Sequence, residues 1–186
     1  DSSKDTGTDS LTLSGTTSSY SGATTISNGT LIVGSNSALG SSSSGTTIAD
    51  GAVLSMSAGL TAMTEPLTVS GTGISGSGVI VNASGNNTVT GAVTLAAAST
   101  ITSNSGTLTM DVSSGNAIAG SYALTVTGSG NVTISDPVAT GATVVTKEGS
   151  GTLTMTGTST YSGGTVVNGG TVSISGDRGL GAVPGS

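Results

Sequence analysis

An all-β solenoid is the fold this sequence predicts, on three observations. Apolar residues recur as doublets with one polar residue between them. Glycine separates many of the doublets. A stretch near the N-terminus is repeated near the C-terminus.

The doublets run the length of the chain: Leu11/Leu13, Leu31/Val33, Leu54/Met56, Leu67/Val69, Val79/Val81, Val93/Leu95, Leu108/Met110, Leu124/Val126, Val132/Ile134, Leu153/Met155 and Val172/Ile174. A spacing of two puts both members on one face of an extended strand. The residue between is usually Thr or Ser, which suits a pleated surface and faces solvent. Breaks at Gly15, Gly29, Gly45, Gly71, Gly91, Gly128 and Gly157 supply turns. No segment keeps a helical apolar period for three turns, and Ala96-Ala97-Ala98 is the one local run of helix formers.

How the strands close is decided by composition. Antiparallel hairpins forming a sandwich usually need a rich core with a buried aromatic anchor. Here 2% of residues are aromatic, with no Phe or Trp. A stacked solenoid needs only a thin interior of small aliphatic residues and many tight turns, which 32 glycines can provide. Coils of about 20 to 25 residues predict roughly eight turns. Doublet spacing varies from 8 residues (Leu124 to Val132) to 23 (Leu31 to Leu54), so the coils are expected to differ in turn length.

The repeat is read from Lys147-Glu148 through Ile174 against Lys4-Asp5 through Val33. Leu11-Thr12-Leu13 matches Leu153-Thr154-Met155, Tyr20-Ser21-Gly22 matches Tyr161-Ser162-Gly163, and Gly29-Thr30-Leu31 matches Gly170-Thr171-Val172. From the tyrosine onward no gap is needed. Residues 1–186 are read as a single β-solenoid segment, with repeat copies at 4–40 and 147–181 and spacer coils over 41–146.

Gly151 to Gly157 (GTLTMTG), Thr160 to Thr165 (TYSGGT) and Asn168 to Thr171 (NGGT) resemble the autotransporter-associated β-strand repeat, whose pattern is GTLTLTG…NTYTGGTTVNGGTL. The family's ALG continuation is matched by Ala38-Leu39-Gly40 and by Gly179-Leu180-Gly181. The first copy departs from the pattern at Ala23 and Asn28. The motif proper covers about sixty residues. The resemblance implies a right-handed parallel β-helix in the passenger region of an autotransporter or large surface adhesin. It implies an extracellular location at the bacterial cell surface, in a parent protein tethered to the outer membrane.

Charge excludes several function classes. Three basic residues, Lys4, Lys147 and Arg178, against nine acidic ones leave a net charge of −6. Such a chain cannot neutralise a run of phosphates, so no nucleic acid is expected. An anionic lipid surface is excluded on the same ground. The opening DSSKDTGTD lacks the apolar run of a signal peptide. The chain is therefore expected to be a mature product or an excised segment.

No catalytic, cofactor-binding or metal-binding residue is predicted. Zinc and copper need His or Cys, and the chain has neither. Serine and threonine are plentiful, yet no His can activate one as a nucleophile. Asp50-Gly51 and Asp136-Pro137 read as turns. Gly71-Thr-Gly-Ile-Ser-Gly76 fits GxGxxG but leads into further strands, so it reads as a chance match. Tyr20 and Tyr161 are expected to pack over a turn in each copy; Tyr122 is the third tyrosine.

The expected function is a non-catalytic structural or adhesive segment, a stalk or adhesin passenger that stacks end to end or against neighbouring repeats. Host or surface glycans are the other candidate partners. The alternatives are a carbohydrate-active β-helix enzyme, which needs two carboxylates facing a groove, and below it an ice-binding solenoid. The last needs Thr-x-Thr pairs at the same place in every coil, and their uneven spacing along the sequence argues against it.

Overall fold

The computed structural model describes residues 9–57 and 59–182. Lys4 and Asp5, at the entrance to the first repeat copy, lie outside the described residues. The strands in chain order are β1 (Ser10–Leu13), β2 (Thr24–Ile26), β3 (Gly29–Val33), β4 (Thr46–Ile48), β5 (Ala52–Met56) and β6 (Leu67–Gly71). Then come β7 (Ile80–Asn82), β8 (Asn87–Val89), β9 (Val93–Ser103), β10 (Thr107–Met110), β11 (Ile118–Gly120) and β12 (Leu124–Thr127). The last six are β13 (Asn131–Ile134), β14 (Val138–Ala139), β15 (Val145–Lys147), β16 (Thr152–Met155), β17 (Thr165–Val167) and β18 (Thr171–Ile174). Two short 3₁₀ turns, Ile74–Gly76 and Asp177–Leu180, are the helical elements among the described residues.

The strands form three parallel ladders, as a stacked solenoid requires. The first runs β1-β3-β5-β7-β9-β12-β15-β17, giving eight rungs and so about eight turns. The second runs β2-β4-β6-β9-β11-β14, and the third β8-β10-β13-β16-β18. Met63 extends the third ladder backward by bridging Val89. The chain passes the second, first and third ladders in that order, although among the described residues the first circuits form no strand on the third ladder and the last forms none on the second. Strand β9 serves two ladders: Val93 to Leu95 pair with β6 and β11, and Ser99 to Ser103 pair with β7 and β12. Ala96-Ala97-Ala98 turns the corner between them in extended form. Pairing overrides the helix propensity of this run, since its flanks are already tied into two ladders.

A circuit takes from 19 residues (Leu153 to Val172) to 26 (Leu54 to Ile80). The extra residues go into the corners, and the strands stay in register except where β6 meets β9, with a shift between Val69 and Gly71. Like side chains therefore stack above one another. One inward file of the first ladder reads Leu11, Leu31, Leu54, Ile80, Ile101, Val126, Lys147, Val167. The third ladder stacks Leu108, Val132, Leu153 and Val172. Each fully buried aliphatic side chain here contributes about 1.5–3 kcal/mol. Leu11 and Val167, at the two ends of their file, are 60% and 52% exposed and contribute less.

Two details differ from the sequence reading. The inward pair of β7 is Ile80 and Asn82, because Ile80 pairs with Leu54 and Ile101 and Asn82 with Met56 and Ser103. Val79 and Val81 are nonetheless buried, as are the outward-facing Val53, Thr100 and Thr102. The first ladder is thus covered on its outer side in the middle of the molecule, where Gly78 stands against the Thr102 side chain.

The repeat copies do not occupy the same ladders. β1, β2 and β3 lie in the first, second and first ladders, whereas their counterparts β16, β17 and β18 lie in the third, first and third. Six circuits lead from β1 to β15, and β16 is one ladder further on. The copies are therefore offset by six turns and a third.

Candidate functional site

The tyrosine, a threonine and a glycine make one small motif in each repeat copy. The Tyr20 hydroxyl meets Thr24 Oγ1 at 3.0 Å, and the Tyr161 hydroxyl meets Thr165 Oγ1 at 2.7 Å. One circuit on, Gly40 lies against the Tyr20 ring and Gly181 against the Tyr161 ring, where a Cβ would come within 3.0 Å of ring carbons. Both glycines have positive φ, 76° and 93°, so the position excludes a side chain twice over. The bond Ser41 N–H to Tyr20 O, 2.8 Å, has its counterpart in Ala182 N–H to Tyr161 O, 2.8 Å. The ALG continuation and the tyrosine are thus parts of one packing unit. The copies differ in covering. Tyr161 is fully buried beneath the rung of Val138 to Thr140, while Tyr20 is 42% exposed.

A family model described as passenger-associated-transport-repeat matches residues 5–33 and 145–174. Two passenger-associated-transport repeats are present in this chain. No curated protein and no solved structure gives a significant match. The passenger-associated-transport repeats and the β-solenoid together fit a passenger segment of an autotransporter.

Within the second passenger-associated-transport repeat, Lys147 is the residue that sequence reasoning misplaced. It points inward and is 2% exposed, stacked between Val126 and Val167. Its ammonium donates to the carbonyl oxygens of Glu148 and of Gly149, the latter at 3.1 Å, with Gly169 O at 3.5 Å. Burial lowers its pKa, and the nearby Glu148 charge acts in the opposite direction. In sequence Lys147 is followed by Glu148, which reads as a local charge pair. In the fold the ammonium instead caps the carbonyls of the KEGSG turn. A Cβ on Gly170 would lie 2.9 Å from the lysine nitrogen, so glycine there keeps room for it. The signal available in the sequence was the spacing of two from Val145, an inward position.

Two other polar groups sit inside the wall. Glu65 is 4% exposed, and Thr46 Oγ1 donates to its Oε1 at 3.0 Å. Burial raises its pKa, partly offset by that hydrogen bond. Asn82 and Asn87, both buried, form a bonded corner between the first and third ladders. Asn87 Nδ2 donates to Asn82 Oδ1 at 2.5 Å, and Asn82 Nδ2 donates to Ser103 Oγ at 3.0 Å and Ser105 O at 2.9 Å. Leu60 N–H donates to Asn87 Oδ1 at 2.7 Å. These amides satisfy backbone groups that a glycine-rich corner would leave unpaired.

The turn carboxylates fall where the sequence placed them. Gly51, after Asp50, has φ 78°. Asp136 Oδ2 accepts from Val112 N–H at 2.8 Å. Asp111 and Asp136 thus lie on neighbouring coils, and the second is committed to a backbone amide.

Outward-facing threonines line up across coils. On the third ladder Thr88, Thr109, Thr133, Thr154 and Ser173 form one rank. Thr107, Asn131, Thr152 and Thr171 form a second rank two residues away. On the second ladder Thr25, Thr47, Thr68 and Thr94 form a single rank, continued by Ala119 and Ala139. The uneven spacing seen along the sequence is absorbed in the corners.

Proposed function

We propose that this chain is a structural stalk within the passenger of an exported bacterial surface protein, acting mechanically rather than by catalysis. The observation that carries the reading is the insertion of both passenger-associated-transport repeats, in register, into one run of parallel ladders. Continuous ladders resist bending and stretching along the axis, because extension must break many parallel hydrogen bonds together. Apolar side chains stand exposed at both ends of the stack: Leu11 and Tyr20 at one, Val167 and Leu180 at the other. Strand edges that have no partner among the described residues seek another strand. The ends join neighbouring repeats of the same protein or a second copy of the chain.

The test of location uses antibodies against the folded chain on intact cells of the source organism. Labelling that disappears when a protease is added outside the cells supports the stalk. Labelling seen only after lysis refutes it. Sedimentation of the purified chain tests the ends: mass rising with concentration supports stacking, and a monomer throughout refutes it.

A further inference from the structure

We propose that the outer face of the third ladder is a surface that binds ice. Its two ranks, Thr88–Thr109–Thr133–Thr154–Ser173 and Thr107–Asn131–Thr152–Thr171, form a two-dimensional array. Rungs repeat about every 4.8 Å along the axis, and residues i and i+2 stand about 6.7 Å apart along a strand. Both distances are close to oxygen repeats in hexagonal ice. No register shift interrupts the pairing of β8, β10, β13, β16 and β18, so the array is not broken by a bulge.

The hydroxyls are available. No side-chain hydrogen bond within the described residues engages the hydroxyl of Thr88, Thr109, Thr133 or Thr154. The next positions along the strands behave differently: Thr156 Oγ1 donates to Ser135 O and Ser175 Oγ to Thr156 O, each at 3.1 Å. β-Branching restricts each threonine rotamer, so methyl and hydroxyl positions repeat from rung to rung. Neither rank contains a charge.

The same features select the occupant. A sugar chain would be held by aromatic stacking, but neither rank of this face contains an aromatic residue. An anionic partner would need basic residues that this face lacks. A lattice of water oxygens at fixed spacing needs only ordered hydroxyls and methyls. The second ladder supplies an internal control, since its single rank of Thr25, Thr47, Thr68 and Thr94 is not two-dimensional.

The test measures ice recrystallisation and thermal hysteresis with the purified chain, against albumin at equal mass. The unmodified chain is expected to slow recrystallisation. Thr133→Tyr and Thr154→Lys are expected to raise the concentration required about tenfold, equivalent to about 1.4 kcal/mol. Thr68→Tyr on the second ladder is expected to leave it unchanged. Circular dichroism identifies any variant that has not folded, and two face variants are used so that one can fail. The proposal is overturned if the unmodified chain leaves ice growth as albumin does, or if Thr68→Tyr loses as much as the face variants. Binding to crystalline cellulose or chitin with no effect on ice also overturns it.

Discussion

Replacing the repeat tyrosine by alanine provides a measurement with its own control, because the chain carries the motif twice. Tyr161 is fully buried, and its ring lies against Gly181 with Thr165 on its hydroxyl. Removing a fully buried aromatic ring costs about 3–5 kcal/mol, from lost transfer energy and the void left behind. Tyr20 makes the same contacts with Gly40 and Thr24 but is 42% exposed. Scaling by the buried fraction brings its cost to about 2–3 kcal/mol, and the open site above it can relax further. Tyr161→Ala is therefore expected to destabilise at least about 1 kcal/mol more than Tyr20→Ala, well above the roughly 0.5 kcal/mol within which independent sites add. Urea unfolding followed by circular dichroism gives the two values, with amide exchange at Thr160 and Ser41 reporting each site locally. Equal costs would refute the claim that the covering rung, rather than the repeat sequence, sets the energy.

The glycine after each tyrosine gives a second matched pair. A Cβ on Gly22 meets nothing within 4 Å, whereas one on Gly163 would overlap the main chain of Thr143. Gly22→Ala is expected to be neutral or stabilising by about 0.4–1 kcal/mol, and Gly163→Ala destabilising by about 1–3 kcal/mol, both read from urea midpoints. Glu65 has a raised pKa in the fold, so the folded state holds its proton more tightly. Its contribution is fully present below the unfolded value near 4.5 and is lost as pH rises through the folded value. Glu65→Gln should gain stability relative to the unmodified chain between pH 4 and 7; a difference that does not change with pH would contradict this. Lys147 has a lowered pKa, so the unfolded chain binds more protons between the folded value and 10.5. The unmodified chain should therefore gain on Lys147→Met as pH approaches 10.5, in parallel urea titrations.

Much of this architecture could be read from alternation and repetition. Leu108/Met110, Val132/Ile134 and Leu153/Met155 are inward pairs of stacked rungs, and the alternation alone placed them. What alternation could not do was recognise polar residues on the inward side. Asn82, Lys147 and Glu65 are buried because corner carbonyls, neighbouring amides or a threonine hydroxyl satisfy them; Thr46 and Ser103 reach Glu65 and Asn82 from other coils, while Lys147 folds back on the turn that follows it. Register was hidden for a related reason. Corners of different length separate Thr109 from Thr133 by 24 residues and Thr133 from Thr154 by 21, yet the ladder brings all three together. The tyrosine site was legible as packing. Its unequal exposure was not, because that depends on which rung lies above.

The offset of six turns and a third between the repeat copies has a consequence for any longer array of this unit. A whole-number offset would set every copy on one side, like studs along a rail. A residual third winds them instead around the axis as a threefold screw, one copy to each face in turn. Three units would span 3 × 6⅓ = 19 complete turns and return the motif to its first face. Gaining or losing one unit in the gene would then both lengthen the rod and rotate everything beyond the change by one face.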